Sequence, residues 1–89
     1  MTFEELVNEF KKQDLKEGDL VEVEFTNGDI FKMRLSYFSV VYEEDMNSKI
    51  TRSYIYLQSP FLPFYKENYS IWEEYETETI TRIVRIMEL

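Results

Sequence analysis

The stretch Leu15–Tyr42, LKEGDLVEVEFTNGDIFKMRLSYFSVVY, decides how the rest of the chain can fold. Val21, Val23 and Phe25 alternate with Glu22 and Glu24, and Phe31, Met33, Leu35 and Tyr37 alternate with Lys32, Arg34 and Ser36. Alternation with period two places apolar side chains on one face of a half-buried strand, so two strands are predicted, hinged on Asn27-Gly28. A two-residue loop would set Val23 against Lys32 and Glu22 against Met33, mixing core and solvent positions on one face. A three-residue loop, Thr26-Asn27-Gly28, with Gly28 at positive φ in a bulge, sets Val23 against Phe31, Val21 against Met33 and Glu22 against Lys32. Turn chemistry and side-chain parity agree only in the second register. It places Phe31 in a core shared with Val23, Phe25, Leu35 and Ile55.

Past Tyr37 the phase slips, because Phe38 and Val40 are apolar where continued alternation would point outward. A bend or bulge is expected near residues 37–39. A long second strand that changes face partway along suits a small barrel, in which one strand serves both sides.

On the N-terminal side, Thr2 with Glu5 three residues later forms a capping-box pattern. Phe3, Leu6, Val7 and Phe10 follow at helical spacing, and Lys11 and Lys12 fall in the last turn. An amphipathic helix over about 2–13 is expected, its apolar stripe lying on the sheet. Gly18 supplies a positive φ for the turn into the first strand. On the other side, Glu43–Lys49 is a polar hairpin tip whose acids do not fit a calcium loop, which needs a glycine at the turn and a bidentate glutamate at fixed distance. Ile50–Leu57 is a third strand with Ser53, Ile55 and Leu57 on one face and Arg52, Tyr54 and Tyr56 on the other. Pro60 and Pro63 break the pattern across Gln58–Tyr69. The crowded β-branched residues after Thr77 favour strands over helix, so strands near 70–76 and 83–87 are expected around a turn at 78–81.

The 89 residues, 44% hydrophobic and 17% aromatic, suit a single domain over 1–89 with strands at about 19–26, 29–42, 50–57, 70–76 and 83–87. With no cysteine and no histidine there is no thiolate nucleophile, no disulfide and no imidazole base or ligand. Neither a cofactor nor a metal is implied. A net charge of −8 disfavours phosphate ligands, because nucleic-acid affinity comes from lysine and arginine displacing counterions. The acidic N-terminus lacks the basic start of a signal peptide, and no apolar run approaches the ~20 residues of a membrane span, so a cytoplasmic protein is expected.

The leading helix, the Gly18-Asp19 turn, Val21, Val23, the Asn27-Gly28 hinge, Phe31, Leu35 and Phe38 together resemble the Sm-like family of small barrels. Src-homology-3-like barrels share the same opening. The resemblance implies a mostly β fold with one N-terminal helix, built as a five-stranded bent-sheet barrel. The alternative is an α+β open antiparallel sheet with a packed helix. The departures fall on the family's functional positions: Met33 stands where the pattern has glycine, Ser39 where it has an acid, and Asp45-Met46-Asn47 comes several residues late. Its Arg-Gly motif has no counterpart in Ile80–Val84, so no family binding residue carries over.

Two functions remain open. The first is a noncatalytic acidic module that binds a protein partner, in its extreme form an inhibitor of a nucleic-acid-binding protein that presents carboxylates as phosphate mimics. Its candidate contacts are Tyr54, Tyr56, Phe64, Tyr65, Tyr69, Trp72 and Tyr75, with Glu73, Glu74, Glu76 and Glu78 on the rim. The second, implied by the resemblance, is a homo-oligomeric ring binding a nucleotide or short single strand. It would need Lys32, Arg34, Arg52, Arg82 and Arg85 to converge. An enzyme working through paired carboxylates is a remote third.

Overall fold

The computed structural model describes residues 1–61 and 72–86. It contains one helix, α1 (Phe3–Gln13), and five strands, β1 (Leu20–Phe25), β2 (Ile30–Glu44), β3 (Ile50–Gln58), β4 (Glu73–Glu76) and β5 (Ile80–Arg85). A short 3-10 turn, Thr77–Thr79, joins β4 to β5. The chain is thus mostly β with an N-terminal helix, and its strands form one antiparallel sheet in the order β4-β3-β2-β1-β5.

The first hairpin has the expected register: Val21 faces Met33, Glu22 faces Lys32 and Val23 faces Phe31. Its loop closes with the Gly28 N–H on the Phe25 carbonyl at 2.9 Å and the Phe25 N–H on the Asp29 carbonyl at 2.8 Å. Gly28 sits at φ +91°, and Asn27 braces the turn by accepting the Asp29 N–H at 2.9 Å. In β1, Val21, Val23 and Phe25 are buried and the residues between them are not.

Alternation in β2 ends at Leu35 and Ser36, which are both buried. Against β3, Leu35 pairs with Leu57 but Val40 pairs with Ile55, so a five-residue step runs opposite a two-residue step. The bend expected at 37–39 lies in this interval.

The helix starts in the capping box, with the Glu5 N–H on Thr2 Oγ1 at 3.1 Å and the Thr2 N–H on Glu5 Oε1 at 3.0 Å. It stops where Asp14 turns left-handed at φ 53°, letting the Leu15 N–H reach the Phe10 carbonyl at 2.9 Å. Gly18, at φ 83°, then donates to the Leu35 carbonyl at 2.8 Å and aligns the chain for β1. One core is shared by Leu6 from α1, Leu15, Val21, Val23 and Phe25, Met33 and Leu35, Ile55 and Leu57, and Ile80 and Ile83, with Tyr75 of β4 partly buried against it.

Three expectations need correction. The barrel is not closed, because β4 and β5 share no ladder and the sheet stays open between them. The last turn occupies Thr77–Thr79 and β5 begins at Ile80, because Thr77 is drawn into the interior and its hydroxyl meets that of Ser53 at 2.5 Å. Phe31 lies on the inner face by parity yet is 51% exposed, because the hairpin tip extends beyond the core that the other strands can cover. Residues 70 and 71 of the expected fourth strand lie outside the described residues.

Gly28→Ala should lower stability by about 1 kcal/mol in urea melts, from backbone strain alone, since a Cβ there meets no atom within 4 Å. Asn27→Ala should cost less, and equal, negligible losses from both would remove the bulged turn. In the same assay Leu35→Ala, at 0% exposure, should cost about 2–5 kcal/mol. Phe31→Ala should cost about 1 kcal/mol, and a loss as large as that of Leu35→Ala would put Phe31 back in the core.

Candidate functional site

The antiparallel pairing of β3 with β4 sets Tyr54 opposite Glu76 and Tyr56 opposite Glu74. Because Ser53, Ile55 and Leu57 point into the core, Arg52, Tyr54 and Tyr56 share the outer face of β3. The result is a ladder of two half-buried tyrosines beside two exposed glutamates. The Tyr56 hydroxyl donates to Glu74 Oε2. That bond, followed by burial, pushes the Tyr56 pKa up to about 12, since ionising the phenol would break the bond and set two anions together. Arg52 shares a hydrogen bond with Tyr54, which raises the guanidinium pKa further, and Glu76 and Glu43 add to the effect.

Tyr75 and Glu73 belong to the other face of β4. Tyr75 packs against the core and its ring lies 5.1 Å from that of Phe25. Burial first, and then a hydroxyl bond to Glu73, push its pKa up to about 12. Trp72 is buried, with 8% of its surface exposed, and is not among the side chains of the central core. Phe64, Tyr65 and Tyr69 lie outside the described residues. Of the candidates, the structure therefore brings Tyr54, Tyr56, Glu74 and Glu76 onto one face. Glu76 of that expected rim stands directly opposite Tyr54.

The five basic residues do not converge. Lys32 faces Glu22, Arg82 faces Glu24 and Arg52 faces Glu43 across the ladders. Arg34 donates to the Gly18 carbonyl at 3.1 Å, and Arg85 reaches Asp19 at 2.9 Å and the Asp14 carbonyl. Among the described residues, no three histidine, cysteine, aspartate or glutamate side chains are grouped to hold a metal ion, and no helix is long and apolar enough to cross a membrane. Asp45, in the acidic hairpin tip, accepts the N–H groups of Asn47 and Lys49 at 2.8 and 2.9 Å and so organises its own turn.

The chain matches no family model, and no curated protein or solved structure is similar to it.

The two tyrosine–glutamate bonds make a spectroscopic prediction. A raised phenol pKa means the fold favours the neutral form, so this stabilisation is complete below the ordinary tyrosine pKa of about 10 and is lost as pH climbs to about 12. In an absorbance titration, Tyr56 and Tyr75 should ionise near pH 12. Glu74→Ala should bring Tyr56 down toward its ordinary value. Ionisation of all seven in one step near pH 10 would mean that these bonds do not persist in solution.

Proposed function

We propose that this chain is a noncatalytic acidic module that binds a protein partner in the cytoplasm. The observation that carries the reading is the outer face of β3 and β4, where Tyr54 and Tyr56 stand beside Glu74 and Glu76. Tyrosine offers a large contact area at little conformational cost, and carboxylates around it steer a basic partner into register. Net charge supports the same reading, since −8 over 89 residues repels phosphate ligands. A regulator or inhibitor of a nucleic-acid-binding protein is the form in which this charge would be most useful, because it borrows the field that steers nucleic acid to that protein.

The order of elements, a helix, a hairpin on Asn27-Gly28, a long bent strand and three shorter strands, is in keeping with the Sm-like resemblance. The matching ring that binds single strands draws less support, because each basic residue it needs is set opposite a carboxylate or bonded to backbone.

The test is purification of the tagged chain from its own cells, in wild-type form and as Tyr56→Ala and Glu74→Lys. A protein should co-purify with the wild type, and its direct affinity should fall about tenfold or more in each variant while the circular dichroism melt stays close to wild type. Association with Glu74→Lys should slow most at low salt. The reading fails if the wild type carries a stoichiometric nucleotide or oligonucleotide, or binds single strands at submicromolar concentration with steep salt dependence.

A further inference from the structure

At the tip of the β1–β2 hairpin the inner face of the sheet runs past the core and ends in an open groove of about 320 Å³. That is the lower end of the range for small ligand pockets, about 300–1,000 Å³. Phe25, Phe31 and Tyr75 line it, the rings of Phe31 and Tyr75 centred 5.9 and 5.1 Å from that of Phe25. Phe31 is half open to solvent although its position in the strand points it inward. An exposed aromatic of this kind is ordinary when it stands alone. Here three rings converge.

Charge selects the occupant. Among the described residues lining the groove, Asp29 is the one charged side chain and none is a lysine or arginine. Glu73 stands beside it as the acceptor of the Tyr75 hydroxyl, and the chain as a whole carries −8. Ring faces are negative, so aromatic walls with a carboxylate at the edge attract a cation with an apolar stem. A guanidinium fits better than an ammonium, because it is planar, stacks on rings and pairs with a carboxylate through two parallel donors. We infer that this groove receives an arginine side chain from a basic segment of the protein partner, stacked on the rings of Phe31 and Tyr75 and paired with Asp29. The inference rests on the interaction-module reading and adds the chemistry of the partner.

The experiment titrates the isotope-labelled full chain with capped tetra-arginine, tetra-lysine and tetra-citrulline peptides and follows the amide resonances. Citrulline keeps the shape of arginine without its charge. Tetra-arginine should shift Phe25, Phe31 and Tyr75 most, tetra-lysine should bind more weakly at the same place, and tetra-citrulline should not bind. Phe31→Leu keeps an apolar side chain and removes the ring, and Asp29→Asn keeps the turn bonds and removes the charge. Each should weaken tetra-arginine binding by about three- to tenfold while the spectrum keeps its native dispersion. Shifts centred on Glu74 and Glu76, equal binding of citrulline, or wild-type affinity in both variants would each overturn the inference. Partner capture that survives Phe31→Leu and Asp29→Asn but is lost in Tyr56→Ala rejects the groove and leaves the module reading standing. Groove shifts with tetra-arginine in a chain that captures no protein reject the module reading alone.

Discussion

Three residues, Thr77 to Thr79, join the two outermost strands of the sheet, and the rest of the architecture follows from that short link. In a flat five-stranded sheet the outer strands would stand about 19 Å apart, at about 4.8 Å per spacing. A 3-10 turn rises about 2 Å per residue and spans about 8 Å from Glu76 to Ile80. The sheet must therefore curl hard enough to bring its ends together, although no ladder closes it. The link is held from both sides: Thr77 meets Ser53 of β3 in the interior, and the Thr26 N–H donates to the Thr79 carbonyl at 2.8 Å. Curling gives a short chain an inner face that strands from both ends of the sheet can fill, with Leu6 of α1 packed into the same core.

Curling also separates the two faces chemically. Side chains on the inner face become core, as Ile55, Leu57, Ile80 and Ile83 do, while those on the outer face splay apart and remain half exposed, as Tyr54 and Tyr56 do. Phe31 and Tyr75 occupy the margin between these regimes. They point inward by parity, but at the hairpin tip the concave face has run out of neighbours to cover them fully.

What was legible in the sequence was local. The alternation around Asn27-Gly28 fixes face and register together, because a one-residue slip would invert every side chain, and the pairs Val21–Met33 and Val23–Phe31 follow from it. The capping box of Thr2 and Glu5 is equally local. Parity gives the direction in which a side chain points and says nothing of how deep the fold is there, which is why Phe31 was expected in the core. Whether the sheet would close depends on where its edges meet, and a threonine-rich link between two strands carries no pattern that separates a closed barrel from a curled open sheet. Of the site, Tyr54 and Tyr56 could be placed on one face from β3 alone. Which face of β4 turns inward required its register against β3, and the burial of Trp72, just before that strand, has no local signal.

The outer edge of β5 shows a further contact that no local pattern announces. Gln13, the last residue of α1, donates from its side-chain amide to the Ile83 carbonyl at 2.8 Å and accepts the Arg85 N–H at 2.8 Å. These two groups point away from β1, and the glutamine amide meets them much as the backbone of another strand would. Glu9 holds that amide in place by accepting from it at 2.8 Å. An exposed edge strand is a template for pairing with another chain, and covering it removes that liability. Any assembly that added a strand to β5 would first have to release Gln13 and give up two hydrogen bonds, each worth about 0.5–1.5 kcal/mol net. The new ladder would have to recover that loss before it gained anything. Association through side-chain faces carries no such cost, because Tyr54, Tyr56 and the groove of Phe31 are already presented in the folded chain. The same helix that helps fill the core therefore biases the chain toward contacts made by its faces and away from contacts made by the edge of β5.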